Sequence, residues 1–243
     1  MQNILITGAS SGVGQALALH LSKKYNVIAL ARRAEVMDET FKNHKNIFSY
    51  QADVADRSGL NSTLDEIIKR HGSILYVINN AGVMIAEQLE TLSLDTLQES
   101  IDINAFSSLF IMKKLLPEMK KNQFGRVINI TSGAPLNCFP GYGAYNASKA
   151  LLNALTVTFA KEVESYNIKV NLMSPGPVKT EMAPDGPKDV SVCFPTVEYL
   201  LNLSKEGETG RFFWLGYEVP LFPDLQGVEW LEGIGNEKLK KVL

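Results

Sequence analysis

Six short apolar runs recur along the chain, and helical stretches lie between several of them. Strands that are apolar throughout are typical of a parallel sheet whose two faces are both covered by helices. The alternation therefore predicts an α/β fold with a doubly wound parallel sheet, helices on both faces, and a single domain over residues 1–243. The predicted strands are Ile4–Ile6, Asn26–Ala31, Ile47–Gln51, Ile74–Ile78, Val127–Ile130 and Ile168–Met173.

A glycine-rich turn follows the first predicted strand. It runs from Thr7 to Gly14 and leads into an alanine- and leucine-rich helix. Glycines let the backbone turn tightly and approach a diphosphate, and the amide groups at the start of the helix stabilise its negative charge. A nucleotide is therefore predicted here, although a plain turn between strand and helix gives the same pattern. The candidate contacts are Gly8, Ser10, Ser11, Gly12, Val13 and Gly14.

Two arginines, Arg32 and Arg33, follow the second predicted strand. A cofactor with a free 2′-hydroxyl is normally held by a carboxylate at this place, whereas an arginine forms charge-assisted hydrogen bonds to a 2′-phosphate. The pair therefore predicts NADP(H) in preference to NAD(H). The alternative is that both arginines solvate a loop, and Glu35 lies nearby.

Tyr145 and Lys149 stand four residues apart at the start of a predicted helix, on one face of it. An ammonium group held beside a phenol favours the phenolate and lowers the tyrosine pKa, which suits proton transfer near neutral pH. The spacing alone also recurs by chance in many helices. The pair therefore carries a chemical interpretation only together with other motifs.

Polar and small residues stand where later strands end, and the carboxyl ends of parallel strands share one edge of a sheet. Asn79-Asn80-Ala81-Gly82 follows the fourth predicted strand, and Thr131-Ser132-Gly133 follows the fifth. Asp53, after the third, either accepts a hydrogen bond from an adenine amino group or acts as a turn or cap residue before the next helix. The ligand crevice is predicted at this edge.

Composition argues against several kinds of partner. The chain has 24 basic and 26 acidic residues and a net charge of -2, which gives no reason to expect nucleic acid or a membrane surface as a partner. Two cysteines and three singly placed histidines indicate a reducing compartment and no metal site. The sequence begins without a leader and has no apolar run long enough to span a bilayer, so a cytoplasmic protein is expected.

Two helical stretches, over residues 104–119 and after Tyr145, are apolar on more than one stripe. That breadth predicts a second buried face and hence a homodimer or homotetramer. Pro117 is expected to kink or loosen the last turns of the first stretch. After the sixth strand, residues 176–208 contain a proline-rich link and a helix from about Thr196 to Leu203, predicted to form a mobile cover over the substrate.

Taken in chain order, these motifs resemble the short-chain dehydrogenase/reductase family in its compact single-domain branch. The resemblance covers most of the chain and implies a Rossmann-like, NAD(P)-binding fold. The matching residues are the Thr-Gly-x-x-x-Gly-x-Gly turn at Thr7 to Gly14, Asp53-Val54, Asn79-Asn80-Ala81-Gly82, Asn104, Ser132, Tyr145-x-x-x-Lys149, Pro175-Gly176 and Thr180.

The resemblance implies four catalytic roles. Tyr145 is implied to be the general acid toward a carbonyl oxygen during reduction, or the base toward an alcohol during oxidation. Lys149 is implied to lower the pKa of that tyrosine and to hydrogen-bond the nicotinamide ribose, and Ser132 to donate a hydrogen bond to the reacting oxygen. Asn104 is implied to hold a water that links Lys149 to solvent.

It also implies contacts with the cofactor beyond the arginines. The three glycines of the turn are implied to take the diphosphate, Asp53 the adenine, and Asn80 the region beside it, while Val178 and Thr180 take the nicotinamide amide. The remaining cofactor contacts expected from the matching motifs are Val54, Ala81, Gly82, Pro175 and Gly176.

By the same resemblance, the substrate pocket lies between the loop after Ser132 and the segment after Gly176. The loop side chains are mostly apolar, so a substrate with hydrocarbon bulk is expected, although ordinary loop packing explains them equally well. The chain departs from the family at its end, where a strand over Arg211–Leu215 is expected and the tail after Gly216 has no assigned role. The candidate substrate contacts are Ser132, Pro135, Leu136, Phe139, Tyr142 and Tyr145.

The expected activity is hydride transfer between a nicotinamide cofactor and a ketone, an aldehyde or a secondary alcohol. A binding protein that senses the NADP redox state is one alternative, although a sensor needs no proton donor. An isomerase or lyase with a retained cofactor is another. The identity of the substrate is not predicted.

Overall fold

The computed structural model describes residues 1–222, whose strands form one eight-stranded sheet in the order β3-β2-β1-β4-β5-β6-β7-β8. The strands are β1 Gln2–Thr7, β2 Tyr25–Ala31, β3 Ile47–Gln51, β4 Tyr76–Asn79, β5 Gly125–Ile130, β6 Ile168–Ser174, β7 Phe212–Trp214 and β8 Tyr217–Val219. Strands β1 to β7 pair in parallel, as the apolar runs predicted, and β8 alone pairs antiparallel, with β7. The order reverses between β1 and β4, where sheets of this kind bind ligands.

Helices cover both faces of the sheet, which confirms the predicted doubly wound architecture. The helices are α1 Gly12–Leu21, α2 Ala34–Phe41, α3 Arg57–His71, α4 Leu94–Ile101, α5 Ser107–Lys121, α6 Ala134–Asn137, α7 Gly143–Val163 and α8 Phe194–Leu201. Among the described residues, no helix is long and apolar enough to cross a membrane.

The alternation of side chains along β1 explains why its three consecutive residues Ile4, Leu5 and Ile6 are all apolar. Ile4 and Ile6 pack into one buried cluster, which contains residues of α1, α2 and α8. Leu5 points to the opposite side and packs into a second cluster, which contains residues of α3, α5 and α7. All three side chains are fully buried. Each face of the strand therefore has its own core, and a polar residue on either face would be buried without water.

The helical stretch before β5 contains an irregular turn. Helix α5 continues through Pro117 to Lys121, and the kink or loosening expected at the proline stays a prediction. The irregular part lies earlier, because Asp102–Phe106 forms a π-helical turn between α4 and α5. Such turns insert an extra residue into the helix and commonly occur at functional sites.

The end of the chain also differs from the expectation. The strand expected over Arg211–Leu215 is shorter, Phe212–Trp214, and strand β8, which sequence reasoning missed, follows it after a two-residue turn. The predicted helix from Thr196 to Leu203 begins and ends two residues earlier, at Phe194 and Leu201. Within the tail after Gly216, residues 223–243 lie outside the described part of the chain.

Candidate active site

A cleft of about 1090 Å³ opens at the carboxyl edge of the sheet. It crosses the point between β1 and β4 where the strand order reverses. Most of the predicted site residues line it, although they come from six different strand ends and the helices that follow. These are Gly8, Ser10, Ser11, Gly12, Val13, Arg32, Arg33, Asp53, Val54, Asn80, Ala81, Gly82, Ser132, Leu136, Phe139, Tyr142, Tyr145, Lys149, Pro175, Gly176, Val178 and Thr180.

The glycine turn has no room for side chains at two of its positions. Gly8 has a φ of +66°, in the left-handed region, and a Cβ there would lie 2.9 Å from the Cα of Ala81. A Cβ on Gly14 would lie 2.4 Å from the carbonyl oxygen of Gly8. Gly14 does not line the cleft, but its missing side chain lets α1 pack directly against the turn.

The first turn of α1 keeps its backbone donors available. Ser11 stands at the N-cap in an extended conformation, and its side chain makes no capping hydrogen bond. The first amide groups of a helix have no partner within the helix, and together with the helix dipole they attract an anion. The start of α1 therefore suits the negatively charged diphosphate that the glycine pattern predicted.

Thr7 and Asn80 join the glycine turn to the end of β4. The Thr7 hydroxyl accepts hydrogen bonds from the backbone amides of Asn80 and Ala81, at 2.9 and 3.0 Å. The Asn80 side chain donates to the carbonyl oxygens of Thr7 and Gly8, at 3.0 and 3.3 Å. These contacts hold the two strand ends together on either side of the sheet's switch point. Asn80 thus has a clear structural task beside its place in the cleft.

Arg33 lies between the glycine turn and the segment that follows β6. Its Nε donates to the Ser10 hydroxyl at 3.2 Å, and its terminal nitrogen forms an ion pair with Glu181 at 3.1 Å. Arg32 is more weakly engaged, with 3.9 Å between its guanidinium and the Asp53 carboxylate. Both arginines are substantially exposed toward the cleft, so they stay available to an anionic ligand.

Asp53 holds a turn, as one of its two predicted roles required. Its carboxylate accepts a hydrogen bond from the backbone amide of Ala55 at 2.9 Å. The cap of α3 is a different residue, Asp56, whose carboxylate accepts from the amides of Ser58 and Gly59. One face of Asp53 still lines the cleft.

Tyr145 lies in the first turns of α7 and lines the cleft together with Ser132, which follows β5. Burial raises the pKa of its phenol, and the polar side chain of Ser132 offsets only part of that rise. Removal from water therefore dominates the pKa of Tyr145, and the expectation that Lys149 lowers it stays a prediction. Ser132 also accepts a hydrogen bond from the amide of Ala134 at 3.0 Å, which fixes its side chain.

Lys149 lies one turn further along α7 and is only 4% exposed. Its ammonium group donates to the carbonyl oxygen of Ile130 at 2.8 Å and lies 5.9 Å from the centre of the Tyr145 ring. Burial lowers its pKa from 10.5 to about 8. Within residues 1–222 its hydrogen-bond partner is this neutral carbonyl and no carboxylate, so a buried charge is held by an uncharged group. Burying a charge in this way costs free energy, which is a reason to look for a function of Lys149.

Asn104 is fully buried in the π-helical turn and does not line the cleft. Its side chain accepts from the amide of Val83 at 2.8 Å and donates to the Val83 carbonyl and the Ser148 hydroxyl, both at 2.9 Å. Ser148 lies between the two catalytic candidates on α7. Asn104 therefore ties the loop after β4 to the part of α7 that carries Tyr145 and Lys149. The water that it was expected to hold stays a prediction.

The residues that line the cleft differ in two ways from the predicted substrate contacts. Pro135 does not line the cleft, although its neighbour Leu136 does. Sequence reasoning missed several residues that do, because they come from the loops after β4 and β6 and from the β7–β8 hairpin. A two-residue turn containing glycine between Phe212-Phe213-Trp214 and Tyr217-Glu218-Val219 was the available signal. The missed lining residues include Met84, Glu181, Met182, Phe212, Trp214 and Val219.

Comparisons with known proteins agree with this geometry. The family model described as short chain dehydrogenase matches residues 2–190. An uncharacterized oxidoreductase of Schizosaccharomyces pombe is 30% identical over 183 residues, which span 74% of this chain and 62% of that protein, less than two thirds of its length. A 3-oxoacyl-(acyl-carrier-protein) reductase of Staphylococcus epidermidis is 30% identical over 187 residues, 74% of this chain and 77% of that protein.

A solved structure shows the same architecture. The crystal structure of an NADPH-bound carbonyl reductase from chicken fatty liver superposes with a TM-score of 0.80 at 25% sequence identity. The superposition covers 88% of this chain and 96% of that one.

Proposed function

This chain belongs to the short-chain dehydrogenase family of oxidoreductases, and on that premise we propose that it is an NADP-dependent enzyme acting on a ketone, an aldehyde or a secondary alcohol. One observation carries the proposal. Ser132, Tyr145 and Lys149 meet in the same cleft as a glycine turn and a pair of arginines. A proton donor and an anion site thus share one cavity.

The residues present fit a nicotinamide dinucleotide. Backbone donors at the start of α1 would hold its diphosphate, and the glycine turn before them is packed too closely for a Cβ at Gly8 or Gly14. Asp53 would face the adenine, and Val178 with Thr180 the nicotinamide amide. When bound, the cofactor supplies or accepts the hydride. Two related proteins are named for carbonyl reduction, and one of them was solved with NADPH bound.

The preference for NADP(H) over NAD(H) rests on Arg33 and Arg32. Their guanidinium groups are the positively charged side chains in the cleft beside the glycine turn. An arginine binds a phosphate through charge-assisted hydrogen bonds, whereas a ribose 2′-hydroxyl gains nothing comparable from it. The nearby carboxylates of Glu181 and Asp53 are already paired with these arginines. We therefore expect a clear NADPH preference in kcat/KM.

Tyr145 acts as the proton donor in the direction of reduction. Because burial raises the pKa of its phenol, it keeps its proton at neutral pH and is ready to give it to a carbonyl oxygen. Ser132, which lines the same cleft, would donate a hydrogen bond to that oxygen. Lys149, with a pKa of about 8, is mainly charged at neutral pH. Its positive charge stabilises the phenolate that remains after the transfer.

A panel of carbonyl compounds, followed by the loss of NADPH absorbance, tests the proposal. We expect turnover with at least one ketone or aldehyde and a lower kcat/KM with NADH. Tightly bound nucleotide without net cofactor turnover would instead identify an isomerase or lyase. NADPH binding without any turnover would identify a sensor of the NADP redox state.

Two further expectations are part of the proposal. A homodimer or homotetramer is supported by the exposed outer side of α7, where Ala147, Ala150 and Ala154 would allow close helix packing; a strict monomer by light scattering would refute it. A cytoplasmic location is supported by Cys138 and Cys193, both free thiols, which are typical of a reducing compartment.

A further inference from the structure

The β7–β8 hairpin adds an aromatic side chain to the cleft. Trp214 is the last residue of β7, in register with Ser174 at the end of β6, so its side chain stands at the carboxyl edge of the sheet. It lines the cleft together with Val219 of β8 and stays 40% exposed. A tryptophan with this much accessible surface inside a cleft offers a large apolar contact to a ligand.

The position of the indole is fixed by its neighbours. The Trp214 ring packs on Gly176, where an added Cβ would lie 2.6 Å from the indole nitrogen. The hairpin turn is tied to α8, because the amide of Gly216 donates to the Thr196 hydroxyl at 2.9 Å. An anchored ring loses little freedom when a ligand binds, so its contact contributes efficiently to affinity.

The turn after Trp214 is strained. Leu215 has a φ of +46° and Gly216 a φ of +84°. A tight two-residue hairpin requires left-handed residues at both positions, and leucine adopts this conformation only at an energetic cost. The surrounding structure therefore imposes this hairpin geometry, which directs Trp214 toward the cleft.

Other apolar side chains lie exposed in the same cleft. Leu136, Phe139 and Met182 are 46%, 53% and 44% exposed, values that match the exposure of Trp214. The charged residues that line the cleft within residues 1–222 are instead Lys149 and the four members of two ion pairs at the arginine end, Arg32, Arg33, Asp53 and Glu181. Among the described residues, the rest of the cleft lining is uncharged.

We propose that Trp214 is a specificity-determining residue that selects uncharged carbonyl compounds with a ring-sized apolar body over small ones. The inference rests on the proposed carbonyl reduction and adds the substrate class to it. The indole provides one apolar wall, while Leu136, Phe139 and Met182 provide others. A bicyclic ketone removes these surfaces from water together, whereas a small ketone leaves them wet.

The first measurement is kinetic, with NADPH and two ketones, 1-decalone and butanone. We expect the wild type to favour 1-decalone, and Trp214→Ala to lower the ratio of the two kcat/KM values by about tenfold or more, through a higher KM for 1-decalone. Trp214→Phe keeps a ring and should retain most of the ratio. Tyr217→Ala is the matched control, because Tyr217 pairs with Trp214 across the hairpin but does not line the cleft.

The second measurement reads binding without turnover. The chain has two tryptophans, so Trp230→Phe leaves Trp214 as the sole tryptophan emitter. With NADP⁺ bound, 1-decalone should change this emission at concentrations where butanone does not. If the wild type reduces neither ketone, the proposed function fails for them, while a change in Trp214 emission still supports the present inference.

Three results would overturn the proposal that Trp214 determines specificity. One is an unchanged ratio in Trp214→Ala, and another is an equal fall of the ratio in Tyr217→Ala, which would point to the fold of the hairpin instead. The third is a Trp214 emission that does not respond to 1-decalone.

Discussion

Lys149 should reduce the stability of the cofactor-free fold at neutral pH, and replacing it should reveal by how much. A pKa lowered from 10.5 to about 8 corresponds to about 3 kcal/mol, at about 1.4 kcal/mol per tenfold change in proton affinity. The folded state carries this cost because it holds a charge that is 4% exposed and hydrogen-bonded to the neutral carbonyl of Ile130. Lys149→Met keeps most of the volume and removes the charge.

The sign of the effect follows from proton binding. Between pH 8 and 10.5 the unfolded chain binds more protons at Lys149 than the folded chain does, so the wild type gains stability as the pH rises. Below pH 8 the full cost is present. Relative to Lys149→Met, the wild type should therefore gain roughly 2 to 3 kcal/mol between pH 7 and pH 10. The comparison cancels titrations that the two proteins share, and also the constant loss of the Ile130 hydrogen bond.

Urea unfolding of the cofactor-free proteins at several pH values measures this difference. Lys161→Met is a suitable control, because Lys161 lies on the same helix but is exposed, and its pH profile should follow that of the wild type. Parallel stability profiles for the wild type and Lys149→Met would refute the reasoning. Lys149→Met should also lose turnover while staying folded, so stability and activity change independently.

Two further predictions concern the cofactor. Glu181→Gln removes the carboxylate that is paired with Arg33 and should lower the KM for NADPH by about two- to fivefold, as expected for an exposed ion pair, while the KM for NADH stays constant; an equal change for both cofactors would contradict a 2′-phosphate site at Arg33. Gly14→Ala places a Cβ 2.4 Å from the Gly8 carbonyl oxygen and 2.5 Å from the Asn80 side chain, so NADPH affinity measured by nucleotide fluorescence should fall by about tenfold or more. Unchanged affinity would show that α1 can shift without disturbing the cofactor site.

Much of the fold and the layout of the site could be predicted from local patterns. The strands of the sheet are apolar because both faces are buried, as at Ile4, Leu5 and Ile6. Residues that directly follow such strands, Asn80 and Ser132 among them, necessarily reach the same edge of a parallel sheet. These inferences need only the order of the strands in the chain and the right-handed crossover connections between parallel strands.

What could not be predicted depends on tertiary surroundings. Burial raises the pKa of Tyr145, and the four-residue spacing between Tyr145 and Lys149 carries no information about burial. Asn104 forms its side-chain hydrogen bonds with Val83 and Ser148, which lie in distant segments of the sequence. Trp214 reaches the cleft because β7 pairs with β6 and brings it beside Ser174. Local sequence describes none of these contacts.

The proton donor is the central claim, and Tyr145→Phe tests it most directly because it removes only the hydroxyl group. With NADPH and a ketone that the wild type reduces, kcat should fall by roughly a hundred- to ten-thousandfold, while the affinity for NADPH, measured by nucleotide fluorescence, stays within about twofold of the wild type. A variant that binds NADPH and turns over the ketone at the wild-type rate would contradict the account.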